Sequence, residues 1–178
     1  YLPMVKDISR MLYGIVVVRK DSGIDKIEDL NGKIVAFPAP NALGASLILR
    51  ADFKNNFNIS IVPRYVQSHS SVYLNVALGR TAAGGGVQKT LAKQKDSIKN
   101  KLKVIYKSKK FTPHPIVAHG RIPVAAREKV IKALIEIGET ELGRSLYSKI
   151  PIKQIGMAKL SDYIPIKEFN LDKFYTKE

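Results

Sequence analysis

Apolar positions along this chain follow two registers, and each predicts its own elements. Residues 13–19 (YGIVVVR) and 33–37 (KIVAF) are unbroken β-branched runs, the pattern of strands covered on both faces. Asp21-Ser22-Gly23 breaks the first run. Ile24 to Leu30 then reads as a short helix stopped at Asn31-Gly32, with Gly32 suited to the residue after a helix end. From Leu43 to Phe53 the apolar residues Leu43, Leu47, Ile48 and Ala51 keep the helical period, and residues 59–66 read as a third strand. Ser68 suits the N-cap of a helix to Leu78, with Val72, Val76 and Ala77 on one face. Ala82-Ala83 reads as a short strand running into Gly84-Gly85-Gly86, followed by a helix over 87–95. Residues 102–106 and 115–119 read as further strands. Pro123 fits the first position of a helix to Glu139, with Val124, Val130, Leu134 and Ile137 expected to face inward. Another helix is expected over 142–150, and short helical turns over 162–174.

Strands alternating with helices at this spacing predict a mostly parallel α/β sheet. Helices entered through short Gly, Pro and Asn loops turn their N-termini toward the carboxyl edge of that sheet, where such folds take ligands.

Composition changes the picture in three ways. The chain has 178 residues, room for one substantial core or two small lobes, and no apolar run approaches the roughly 20 residues of a membrane span. There are no cysteines, which excludes thiol catalysis, thiolate metal sites and disulfides. The net charge of +15 suits either a polyanion binder or a receptor for small anions. Lysines are spread along the chain, with one dense run over 99–110, and aromatic residues do not interleave with that run as a stacking surface requires. No nucleic-acid partner is expected. The chain begins at Tyr1 with no signal-peptide pattern, so it is expected to be a mature product or a fragment.

Two turns carry candidate chemistry. Residues 37–44 (FPAPNALG) lead from a strand into a helix, whose free amides and positive dipole end make an anion site. Asn41 is expected to cap that helix and to offer its side-chain amide, and Gly44 to let a ligand approach the backbone. Residues 67–71 (QSHSS) repeat the arrangement and put His69 in the first turn of the next helix, flanked by Ser68 and Ser70. The run Gly84-Gly85-Gly86 brings backbone close either to a packed neighbour or to a ligand, and fits neither a P-loop nor a dinucleotide fingerprint. His114 and His119 lie on opposite sides of an extended segment with no carboxylate nearby, so no metal is expected. No catalytic constellation stands out, and the chain is expected to be neither an enzyme nor a cofactor carrier.

Residues 29–46 (DLNGKIVAFPAPNALGAS) resemble the DLKGK-VAF-DP-S-S-G segment of phosphate/phosphite/phosphonate ABC-transporter substrate-binding proteins. Residues 65–73 (YVQSHSSVY), 77–87 (ALGRTAAGGGV), 112–119 (TPHPIVAH) and 163–167 (YIPIK) continue the resemblance in family order. It implies a type II periplasmic-binding-protein-like α/β fold, two lobes with mixed sheets joined by a hinge, with the N-terminal part of the first lobe lacking. Residues 1–30 and 111–178 are expected to form that partial lobe with the hinge, and residues 31–110 the second. By position the resemblance puts the oxyanion-binding turn at Asn41, Ala42 and Leu43 and the ligand-contacting histidine at His69; Gly44, Ser68, Ser70, Gly85 and Gly86 complete the expected ligand-binding set. It implies a monomeric extracytoplasmic receptor delivering a small oxyanion to a membrane permease, or presenting it as the sensing domain of a signalling receptor. Two departures matter. The family's hydroxyl donors are replaced by Asn41-Ala42-Leu43, and glycine stands at 85 or 86 where an acidic residue meets a ligand amine. A plain anion, or something bulkier that fits against Leu43 and the glycines, is therefore expected in place of an aminoalkylphosphonate.

Overall fold

The apolar runs become strands in the structure, a computed structural model that describes residues 1–150 and 152–176. In chain order the strands are β1 (Leu2–Asp7), β2 (Gly14–Arg19), β3 (Ile34–Phe37), β4 (Val62–Tyr65), β5 (Ala83–Val87), β6 (Leu102–Lys107), β7 (Ile116–Ala118) and β8 (Ile155–Met157). The α-helices are α1 (Ile48–Asn55), α2 (His69–Ala77), α3 (Gln88–Ala92), α4 (Asp96–Lys99), α5 (Val124–Glu139) and α6 (Glu141–Lys149). A π-helical turn, Leu43–Leu47, runs into α1, and 3-10 turns occupy Ile27–Leu30, Leu160–Phe169 and Leu171–Phe174. The chain divides into two compact units, one of residues 1–11 and 111–168, the other of residues 12–110 and 169–178.

The larger unit is built on a five-stranded sheet of order β4-β3-β5-β2-β6. β3 runs parallel to β4 and β5, whereas β2 is antiparallel to both its neighbours. The sheet is mixed, not mostly parallel as strand–helix alternation had suggested. The chain divides differently from expectation too. Residues 12–30 belong to this unit because β2 is an interior strand, bonded to β5 on one edge and β6 on the other. Residues 169–176 also join it, while residues 151, 177 and 178, which fall within the range expected for the first lobe, lie outside the described residues.

Helices cover the two faces of that sheet. On one, Leu49 and Phe53 of α1 pack with Val16, Val18, Val35 and Phe37. On the other, Tyr73 and Val76 of α2 pack with Ile15, Val17 and Leu102. The alternation of Ile15, Val16, Val17 and Val18 between the two cores is why β2 reads as an unbroken apolar run.

The smaller unit is a three-stranded antiparallel sheet, β7-β1-β8, with Val5, Tyr147 and Ile155 at its core. From α5, Ile131, Leu134 and Ile135 face that core, and the Tyr147 hydroxyl donates to the Leu134 carbonyl at 2.6 Å. The inward face expected for α5 is thus corrected. Val124, Val130 and Ile137 are exposed, and only Leu134 of the expected set packs inward. No helix among the described residues is long and apolar enough to cross a membrane.

Candidate functional site

Two of the turns singled out by sequence leave the larger unit's sheet side by side. Phe37 at the end of β3 is in register with Tyr65 at the end of β4, and the Val66 amide donates to the Phe37 carbonyl at 2.9 Å. On the other side of β3, Ala36 is level with Gly84 of β5. The helices entered from β3 and β4 pack on opposite faces of the sheet. Their starts therefore flank the carboxyl end of β3, at the point where the strand order reverses.

The first start is a π-helical turn. The Ala42 carbonyl accepts from both the Ser46 amide at 2.8 Å and the Leu47 amide at 3.1 Å, and Ile48 bonds back to Leu43. The amides of Leu43, Gly44 and Ala45 precede the first bonded amide, so the helix itself gives them no acceptor. The extra residue of a π turn widens this open end, a geometry common at functional sites. Gly44 is placed by the sheet beneath it. A Cβ at Gly14 would strike the Gly44 carbonyl, and one at Gly85 would strike the Ala45 carbonyl. Glycines in β2 and β5 thus let the turn settle onto the strands.

The second start is a capped α-helix. Gln67 sits at φ +67°, a left-handed conformation costly for a side chain of its kind, and turns the chain into Ser68. The Ser68 hydroxyl accepts from the Ser71 amide at 3.1 Å, as the N-cap reading expects, and its carbonyl accepts from Val72. The amides of His69 and Ser70 lead this helix. The ring of His69 is half-buried, and its Nδ1 is enclosed without a hydrogen-bond partner. Burial holds its pKa below the usual histidine value, so the ring is neutral at pH 7. The exposed Ser70 hydroxyl accepts from Gln94 Nε2 at 3.3 Å.

Two sequence readings change here. Asn41 does not cap the helix: Ala42 takes that position without a side-chain bond. The Asn41 side chain instead pairs with Thr176 in both directions, donating to its carbonyl at 2.8 Å and accepting from its amide at 3.0 Å. The glycine run is not a loop after a two-residue strand, because Gly84, Gly85 and Gly86 are themselves in β5. A Cβ at Gly86 would overlap the Tyr73 hydroxyl, and one at Gly84 would press on Val72 and Val76 of α2. Packing against neighbours on both faces accounts for glycine at all three positions.

Sequence reasoning passed over several residues that shape this edge. Ser46 is fully buried, and its hydroxyl has no hydrogen-bond partner among the described residues. Tyr73, buried among apolar residues, bonds Thr90 and the Val87 carbonyl, and desolvation pushes its pKa up to about 12. It is a packing post, not an acid. Arg50 donates to the carbonyls of Pro40 and Phe174. A serine two residues past the quoted turn was a visible signal. Phe174, which Arg50 also bonds, and Thr176, which Asn41 bonds, lie more than a hundred residues away, and no local pattern announces them. His119 Nδ1 accepts from the Arg121 amide, and no cluster of three or more His, Asp or Glu capable of holding a metal occurs among the described residues.

Comparison with known proteins bears on what such an edge is for. A search of curated protein sequences gave no match. Solved structures similar to this one include XAC2383 from Xanthomonas citri bound to chloride, with TM-score 0.83 and 13% identity over 97% of this chain and 70% of that one. A binding protein component of an ABC phosphonate transporter from Pseudomonas aeruginosa has TM-score 0.79 and 14% identity, over 94% of this chain and 61% of its own. PhnD1 from Prochlorococcus marinus, in complex with methylphosphonate, also has TM-score 0.79 and 14% identity, over 95% and 70%. At these identities the likeness concerns the fold, which is that of type II periplasmic binding proteins. The sequence itself matches one family over residues 1–163, described as ABC transporter, phosphonate, periplasmic substrate-binding protein. This chain therefore belongs to the phosphonate substrate-binding proteins of ABC transporters, a family of solute carriers and not of enzymes.

Proposed function

We propose that this chain captures a small oxyanion at the carboxyl edge of the larger unit's sheet and hands it to a membrane permease. The anion is held by backbone amides of Leu43, Gly44 and Ala45 from one helix start and of His69 and Ser70 from the other. The observation that carries this reading is the pair of open helix starts leaving adjacent, in-register strand ends. Two helix dipoles aimed at one place stabilise negative charge without a charged side chain. That suits a carrier, which must release what it binds.

Each remaining residue has a part in this reading. Ser68 fixes the second start, and Ala42 closes the first. His69 donates as a neutral imidazole from a ring that burial keeps uncharged. The unpartnered hydroxyl of Ser46 supports an additional polar contact, direct or through water. Gly85 and Gly86 bring the helices close and do not touch the ligand. Leu43 offers a partly exposed apolar surface where family members carry hydroxyls, which favours a compact anion or one with a small alkyl group. The protein works outside the cytoplasm as a monomer, and its +15 charge draws anions toward it at low salt.

Calorimetric titration with methylphosphonate, phosphite, phosphate and sulfate tests this. Saturable one-to-one binding of at least one phosphorus oxyanion is expected, surviving 150 mM salt. Absence of heat with all four, or binding to duplex DNA with steep salt dependence in their place, would sink the proposal.

A further inference from the structure

The turn that precedes the first helix start has little internal support. Pro38 and Pro40 have no N–H to donate, and the Ala42 amide bonds the Ala39 carbonyl at a long 3.4 Å. What holds the turn comes from elsewhere in the same unit. Arg50, on α1, is half-buried, and one of its nitrogens, Nη2, donates to the Pro40 carbonyl at 2.7 Å and to the Phe174 carbonyl at 2.6 Å. One residue further along the turn, Asn41 and the backbone of Thr176 bond each other twice, at 2.8 and 3.0 Å. Two consecutive turn residues are thus tied to a single C-terminal segment, Leu171–Thr176, at Phe174 and Thr176.

We propose that Leu171–Thr176 is a strap that positions the Pro38–Leu43 turn, with Arg50 as its inner anchor and Asn41 as its outer one. On this account Asn41 is a positioning residue, and its amide is spent on the strap and not on the anion. Affinity then depends on a stretch of C-terminal backbone that never meets the ligand. Part-buried carbonyls bonded by a guanidinium make directional, charge-assisted contacts, which suit holding a backbone in place. The two-way amide pairing fixes Asn41 in orientation as well as distance. The inference rests on the proposed anion site for its effect on affinity, but the mechanical link between strap and turn stands without it.

Thr176→Pro separates the two. It deletes the amide that donates to Asn41 and leaves the carbonyl that accepts from it. Tyr175, at φ −70° and ψ 130°, already has the conformation a following proline requires. Thr176→Ala, which keeps that amide, is the control. We expect the amides of residues 41–44 to exchange with deuterium several-fold faster in Thr176→Pro. Methylphosphonate affinity should weaken roughly fivefold, the value of one such hydrogen bond. Thr176→Ala should match the unaltered protein in both, and Arg50→Met, which keeps the apolar stem but removes the donor to both carbonyls, should shift exchange in the same direction. Unchanged exchange at 41–44 in Thr176→Pro would overturn the strap, and so would weakened binding without faster exchange. If the unaltered protein takes up no oxyanion, the binding proposal fails and exchange alone decides the strap.

Discussion

A methyl group at residue 86 would overlap the Tyr73 hydroxyl, and one at residue 85 would strike the Ala45 carbonyl and the Phe37 ring. Gly86→Ala should therefore destabilise the protein by about 2 kcal/mol in denaturant unfolding, the usual cost of overpacking a fixed core. Gly85→Ala should cost a similar amount and weaken anion binding as well, because the carbonyl it displaces belongs to the π turn. His69 makes a prediction of another kind. Burial holds its folded pKa below the 6.5 of an exposed ring. The unfolded chain thus takes up a proton where the folded protein resists it. The stability this group contributes is complete above about pH 6.5 and is lost as pH falls from there toward the folded value. Denaturation midpoints at about pH 7.5 and about pH 5.5 should drop more for the unaltered protein than for His69→Gln. Equal drops would mean the ring is not enclosed as described.

The two helix starts differ in how they are built. The second is a sequence-local device: Ser68 caps α2, and Ser68→Ala should cost about 1 kcal/mol by denaturant unfolding while leaving the first start intact. This part was legible, since a capping serine before an apolar-periodic stretch needs no distant partner. β2 and β3 were equally legible, because an interior strand shows its double burial as an unbroken apolar run. The first start was legible in place but not in form. Its π turn depends on Gly14 and Gly85, which are far from it in sequence and read locally as a strand edge and a loop. The glycine run misled for the same reason, because side chains from two helices fill the space that β5 leaves empty. β1 and β8 were missed: β8 has only three residues, and the strand character of β1 comes from pairing with β7 on one edge and β8 on the other. On α5 two apolar stripes compete, and helical period alone cannot say that Ile131, Leu134 and Ile135 win over Val124, Val130 and Ile137.

For the molecule as a whole, charge and fold point to different partners until geometry separates them. A +15 surface attracts any polyanion, weakly and with strong salt dependence. The family instead is one of substrate-binding proteins, and the proposed anion site offers backbone donors at two helix starts. The family assignment was legible in ordered motifs spread over most of the chain. The loss of hydroxyls at Ala42 and Leu43 was equally visible, and in the proposed site the amides of Leu43, Gly44 and Ala45 take their place. The most direct measurement is a titration of methylphosphonate into isotope-labelled protein at 150 mM salt, followed amide by amide. Saturable shifts should concentrate on Leu43, Gly44, Ala45, His69 and Ser70, with little change over the lysine-rich residues 99–110. Shifts spread over that basic run, with the two helix starts silent, would contradict the account.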